Sequence, residues 1–181
     1  MKYNPDIHHR RSIRLRGYDY SKSGMYFVTI CTQGRLRLFG DIVDGVMTLN
    51  DAGRMVRATW DEIPAHYSGI EIDHFTVMPN HIHGIIKLVG AGPCACPGDA
   101  GHPRGGAPTV LSLPDVVHRF KTMTTKKYTD GVKQHGWQPY PAKLWQRNYY
   151  EHIIRDEEAY LKIAEYIQNN PQRWTEDVYH A

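Results

Sequence analysis

Long apolar runs are missing from this chain of 181 residues. No stretch of ~18 or more apolar residues occurs, so no segment reads as a membrane-crossing helix. Cysteine is scarce as well. An odd set of three, Cys31, Cys94 and Cys96, in a chain whose first residues form no apolar signal segment, argues against a disulfide framework and predicts a cytoplasmic protein. Strong charge of either sign is also lacking: 22 Lys and Arg against 19 Asp and Glu leave +3, which permits an anionic partner without demanding one. What is abundant is histidine. Eleven imidazoles titrating near neutral pH have to be examined as ligands or bases. With 41% apolar and 23% charged residues, the composition is that of a folded protein, and the length suits a single domain over 1–181.

Periodicity sorts the chain into short elements. "MYFVTICTQ" (25–33), rich in aromatic and β-branched residues, predicts a buried strand. Asp44-Gly45 between the apolar runs of "LFGDIVDGVMTLN" predicts a hairpin. Met55, Val56, Thr59, Trp60 and Ile63 at helical spacing predict a first helix, capped by Asn50 or Asp51 and stopped by Pro64. "GIEIDHFTVMPNHIHGIIKLV" predicts two strands around Met78-Pro79-Asn80. Ser112 and Asp115 in capping-box spacing open a second helix with Val116, Phe120 and Met123 as its stripe. "LWQRNYYEHIIR" (144–155) predicts a last strand, and "DEEAYLKIAEYIQNNP" a last helix ending at Pro171. Residues 1–24 read as a basic arm, and 90–108, dense in Gly, Pro and Ala, as a surface loop. The order is that of an α+β fold with an antiparallel sheet carrying helices on a face.

His81 and His83 stand two apart in "FTVMPNHIHGIIKLV". In a strand they share a face with Ile85 and Lys87, while Ile82, Gly84, Ile86 and Leu88 take the other. That geometry suits two imidazoles on one metal ion, with Gly84 leaving room beside them; it equally suits a hydrogen-bonded core histidine beside an exposed one. On the last helix Tyr166 and Asn170 lie one turn apart on one face. They offer a phenol and an amide oxygen, or simply border the core stripe of Tyr160, Ile163 and Ile167.

The combination of "VMPNHIHGII", "LWQRNYYEHIIRDEEAYLKIAEYIQNNP" and "RRSIRLRGYDYSKSGMYFVTICTQ" resembles the REP-associated tyrosine transposases. These belong with the single-tyrosine insertion-sequence transposases in the HUH endonuclease superfamily. The resemblance runs from about residue 10 to 174 and omits the Gly/Pro-rich loop. It implies a ferredoxin-like or RRM-like antiparallel sheet. It also implies a metal-dependent single-strand DNA endonuclease and strand transferase that acts on hairpin DNA through a 5′-phosphotyrosine, with Tyr166 as nucleophile and His81, His83 and Asn170 holding Mg²⁺ or Mn²⁺. Related insertion-sequence enzymes usually carry Gln where this chain has Asn170. Imidazole ligands favour Mn²⁺ or another transition metal over Mg²⁺ on softness grounds. A domesticated, non-catalytic nucleic-acid-binding module is the alternative, and the family leaves monomer and homodimer open.

Other tyrosines, Tyr149, Tyr150 and Tyr160, lack an amide one turn on; His74 and His152 read as structural or surface residues. For DNA, Arg10, Arg11, Arg14 and Arg16 of the arm and Arg119, Lys121, Lys126 and Lys127 of the second helix are candidate phosphate contacts, or solvated charge. Trp137 and Trp145 are candidates for base stacking or for core. Cys94, Cys96 and His102 form an incomplete zinc set.

Overall fold

Residues 18–89 and 111–180 are described by the computed structural model. The arm cations Arg10, Arg11, Arg14 and Arg16, and the loop residues Cys94, Cys96 and His102, lie outside the described residues.

Four strands make the main sheet: β1 (Gly24–Cys31), β4 (Ile70–Val77), β5 (His81–Leu88) and β6 (Tyr150–Ile154). Their order is β4-β5-β1-β6 and every neighbouring pair is antiparallel. Helices α1 (Asp51–Asp61) and α3 (Leu113–His135) connect β1 to β4 and β5 to β6, which completes the β-α-β-β-α-β path of the ferredoxin-like fold. A separate hairpin, β2 (Gly40–Val43) with β3 (Val46–Leu49), precedes α1. Its turn takes φ 52° at Asp44 and 75° at Gly45, the paired positive values that a tight two-residue hairpin requires.

Alternation along the strands gives the sheet two different faces. Tyr26, Val28 and Ile30 of β1 and Ile82, Ile86 and Leu88 of β5 pack under α1 and α3 with Val56, Trp60, Val116 and Phe120. Phe27 and Ile85 point the other way, where α4 (Glu157–Asn169) lays Ile167 and the partly buried Tyr160 and Ile163 over them. Asp156 caps α4 by accepting from the Ala159 amide at 2.8 Å.

Four local expectations change. Pro64 does not end the helical path: after Glu62 it sits in the first turn of a short helix, α2 (Ile63–His66), where its missing amide costs nothing. The last strand shrinks to Tyr150–Ile154, because Lys121 Nζ draws in the carbonyls of Gln146, Arg147 and Asn148 at 2.9, 3.2 and 3.3 Å. Those carbonyls are thereby diverted from a sheet ladder. In α3 the buried stripe passes through Thr124, which is fully buried, and Met123 is only half-buried. Gly84 makes room on the face opposite the histidines, since a Cβ there would lie 2.5 Å from the Trp60 ring. No helix among the described residues is long and apolar enough to cross a membrane.

Candidate metal and nucleophile site

β5 sets His81 and His83 side by side, both fully buried on the α4 face. Each imidazole is held by its Nδ1. His81 Nδ1 lies 2.7 Å from Asn80 Oδ1, and the Asn80 amide is oriented because its Nδ2 donates to the Tyr179 carbonyl at 2.9 Å. An oxygen therefore faces Nδ1, so His81 carries its proton there and presents a bare Nε2 lone pair. His83 Nδ1 lies 2.8 Å from the Thr29 hydroxyl, a group that donates or accepts and so suits either tautomer. The two Nε2 atoms then face each other at 3.0 Å. That spacing matches neighbouring ligands on one ion at bonds of ~2.1 Å, and histidines oriented through the far nitrogen are the usual arrangement at metal sites.

Burial holds both imidazoles neutral. It lowers His81 to about 3, with the Arg35 charge adding to the effect. It lowers His83 well below the ordinary range, with His81 adding. Neutral lone pairs are what a cation needs.

One further oxygen, from Asp177, converges on the pair, and Asn170 reaches Tyr166 beside it. Asp177 Oδ2 is 3.6 Å from His81 Nε2, with its side chain 1% exposed, and the ligand atoms of His81, His83 and Asp177 lie within 4.8 Å of one another. Asn170, the C-cap of α4, is 3% exposed. Asp177 Oδ2 and Asn170 Oδ1 are both buried without a hydrogen-bond partner among the described residues. A buried acceptor left unpaired is costly, and a cation at the two Nε2 atoms would satisfy Asp177. The residues present fit a divalent metal.

Tyr166 meets the histidines within one chain. Its hydroxyl is 3.4 Å from His83 Nε2, and its ring packs edge-on to Phe27. Burial pushes its phenol up to about 12, helped by Asp177 and Tyr179 and opposed by the Asn170 amide. Among the other tyrosines, Tyr160 is tied to Asp73 at 2.9 Å and Tyr150 is exposed. Tyr179 was not singled out from the sequence, yet its ring centroid lies 4.9 Å from that of His81 and 6.0 Å from that of His83. It belongs to a tail that follows the 3-10 turn Pro171–Glu176 and is pinned by Arg35 donating to the Val178 carbonyl at 3.0 Å.

No known family model matches the sequence. An uncharacterised protein of Haemophilus influenzae is 44% identical over 97% of this chain and 96% of its own length. The chain belongs to one family with it. A second H. influenzae protein, named "Putative REP-associated tyrosine transposase", is 25% identical over 84% of this chain and 73% of its own length. The solved structure of a REP-associated tyrosine transposase bound to a REP hairpin shares the fold, with a TM-score of 0.53 and 20% identity over 89% of this chain and 73% of that one. This chain is a relative of the REP-associated tyrosine transposases.

In this transposase relative, then, His81, His83 and Tyr166 come together, Asn170 is joined to them through Tyr166, and Asp177, Tyr179, Asn80 and Thr29 were missed. The "TEDVYH" tail offered a carboxylate and an aromatic, but no spacing ties it to β5. Of the described cations, Arg119 is exposed over the Tyr67 ring at 4.7 Å. Lys121 is occupied by backbone carbonyls, and burial lowers it to about 8. Lys127 is paired with Glu62 at 2.7 Å. Lys121 nonetheless lines a recess of about 600 Å³ with His118, Lys126, Lys143 and Arg147. That recess lies near the end of β1, where the Gln146 amide donates to Cys31 and Cys31 pairs with His81. Trp145 is core, its Nε1 donating to Thr124 at 2.8 Å, and Trp137 packs on Tyr128.

Proposed function

We propose that the chain is a metal-dependent single-strand DNA endonuclease and strand transferase that acts on hairpin DNA through a 5′-phosphotyrosine. The observation that carries this reading is the Tyr166 hydroxyl at 3.4 Å from a histidine whose Nε2 shares one point with that of its neighbour. His81 and His83 would hold the cation, with Asn170 or Asp177 as the oxygen ligand. Bound there, Mg²⁺ or Mn²⁺ supplies Lewis-acid polarisation of a non-bridging phosphate oxygen. Asn80 and Thr29 fix the imidazoles, and Phe27 and the burial around it limit water.

Tyr166 is the nucleophile. At a pKa of about 12 its phenol is protonated near neutrality, and the Asn170 amide favours the phenolate. The phenolic oxygen bonds to phosphorus as the bond from phosphorus to O3′ breaks. The phenol gives up a proton, the departing O3′ takes one up, and no proton is gained or lost overall. The new ester keeps the phosphodiester's energy, so a 3′-hydroxyl reverses the step and joins strands without a nucleotide cofactor. Lys126, Lys143 and Arg147 suit phosphates of the flanking DNA, and the sequence-stretch 1–24 supplies further cations.

One observation favours a non-catalytic DNA-binding module instead: Asp177 and Tyr179 lie on the face where substrate would enter. The experiment that decides is incubation with labelled single-stranded hairpin DNA and Mn²⁺, followed by denaturing electrophoresis. The expected result is a covalent adduct that Tyr166→Phe abolishes while DNA binding persists. Absence of adduct across a hairpin library supports the module, and an adduct surviving in Tyr166→Phe but lost in Tyr179→Phe moves the nucleophile to the tail.

A further inference from the structure

Tyr166 has two sides. One faces His83; the other borders a recess of about 300 Å³ lined by Lys162, Glu165, Asn169, Asn170 and Arg173 as well as Tyr166 itself. The recess is built by one helix face and its continuation, with Lys162 four residues before Tyr166, Asn169 and Asn170 three and four after it, and Arg173 seven after. Two of its six residues are cations, Glu165 is its one acid, and Asn169 supplies an amide donor. Among the described residues Lys162 is engaged only by Glu158, an exposed pair one turn away of the kind that contributes little. No side-chain partner engages the Arg173 guanidinium among the described residues.

An in-line attack demands that phosphorus lie between the phenolic oxygen and the departing O3′, so the strand on one side of the scissile phosphate must run past the tyrosine ring. On the proposed reading the inner side, with the paired Nε2 atoms of His81 and His83, serves the scissile phosphate itself. Lys162 and Arg173 line the outer side.

We infer that the recess between Lys162 and Arg173 is a phosphate subsite that holds the phosphodiester next to the scissile one and so positions the strand against Tyr166. This rests on the reading of Tyr166 as nucleophile, but its test does not depend on cleavage. The probe is a twelve-residue oligothymidylate, because phosphate contacts are independent of sequence. Binding to the full chain is measured across a salt series. Arg173→Ala and Lys162→Ala are each expected to flatten the slope of log K against log salt by about 0.7, the increment for one phosphate contact on a single strand. Arg173→Lys should restore the slope, and Lys133→Ala, at the far end of α3, should leave it unchanged. The oligonucleotide should also protect Tyr166 from nitration in the wild type, and this protection should be lost in the double variant at saturating oligonucleotide. Unchanged slopes in both alanine variants, equal flattening by Lys133→Ala, failure of Arg173→Lys to restore the slope, or protection that persists in the double variant each overturn the subsite. Absence of the covalent adduct with these slopes intact overturns only the nuclease reading.

Discussion

His81 and His83 differ from ordinary core histidines in where their hydrogen bonds go. Both spend Nδ1 on a neighbouring oxygen, Asn80 Oδ1 and Thr29 Oγ1, and both leave Nε2 facing the same point. The measurable consequence is metal-dependent stability. An ion that binds only the folded chain adds ~2.7 kcal/mol at a hundredfold excess over its Kd, or ~5–10 °C in Tm for a chain of this size. Mn²⁺ is therefore expected to raise Tm, and His83→Ala to remove the response, as read by scanning fluorimetry with and without chelator. A response of equal size in His83→Ala would place the ion elsewhere. Asn170→Ala and Asp177→Ala separate the two oxygen candidates, since the ligand's removal shrinks the shift and the bystander's does not. The sequence pointed to the histidine pair through strand alternation, but Asp177 stayed hidden. A carboxylate brought in by a tail carries no periodic signature.

At the scale of elements, α4 is the part on which the site depends, and its cover is small: Ile167 is its one large fully packed side chain, over Phe27, Ile85 and Ile154. A polar clasp reinforces its first turn. The bulge between Ile72 and Phe75 of β4 brings Asp73 to Lys87 at 2.8 Å and to the Tyr160 hydroxyl at 2.9 Å. Burial pushes the Asp73 carboxyl upward, but Lys87 and Tyr160 outweigh it and hold it at about 2, below its ordinary 3.8. A lowered carboxyl pKa stabilises the fold above the unfolded value and is lost as pH falls through the folded one. Asp73→Asn is thus expected to cost on the order of 1 kcal/mol at pH 7, with the gap to wild type closing between about pH 4 and 2. Denaturant titrations at those pH values check it, and a gap unchanged down to pH 2 would exclude the clasp's ionic character. Elements with strong local chemistry were legible in the sequence: the Asp44-Gly45 turn, the Asn50 cap and the Ser112 capping box. Those governed by a distant side chain were not. The strand from 144 was cut short by Lys121, which no local pattern around 144–149 announces.

Across the whole molecule, the site draws on β1, β5, α4 and the tail of a single chain. For the proposed nuclease, that arrangement predicts catalysis in cis. Mixing His83→Ala with Tyr166→Phe should give no adduct beyond that of either variant alone, whereas recovery would mean that α4 exchanges between copies. The ferredoxin-like path was legible from the order of elements, because short apolar runs alternating with amphipathic stretches leave few antiparallel arrangements. That β5 serves both faces has a consequence for fidelity of folding. Its odd residues carry the imidazoles and its even residues fill the layer under Trp60, in a register where Thr29 meets His83 and Val28 meets Gly84. Sliding by one position would drive two imidazoles into hydrocarbon, set isoleucines beside Tyr166 and put a side chain where the indole needs a glycine. A mispaired chain therefore fails as a solid before it can fail as a reagent, so proofreading of the register is built into the same eight residues that hold the chemistry.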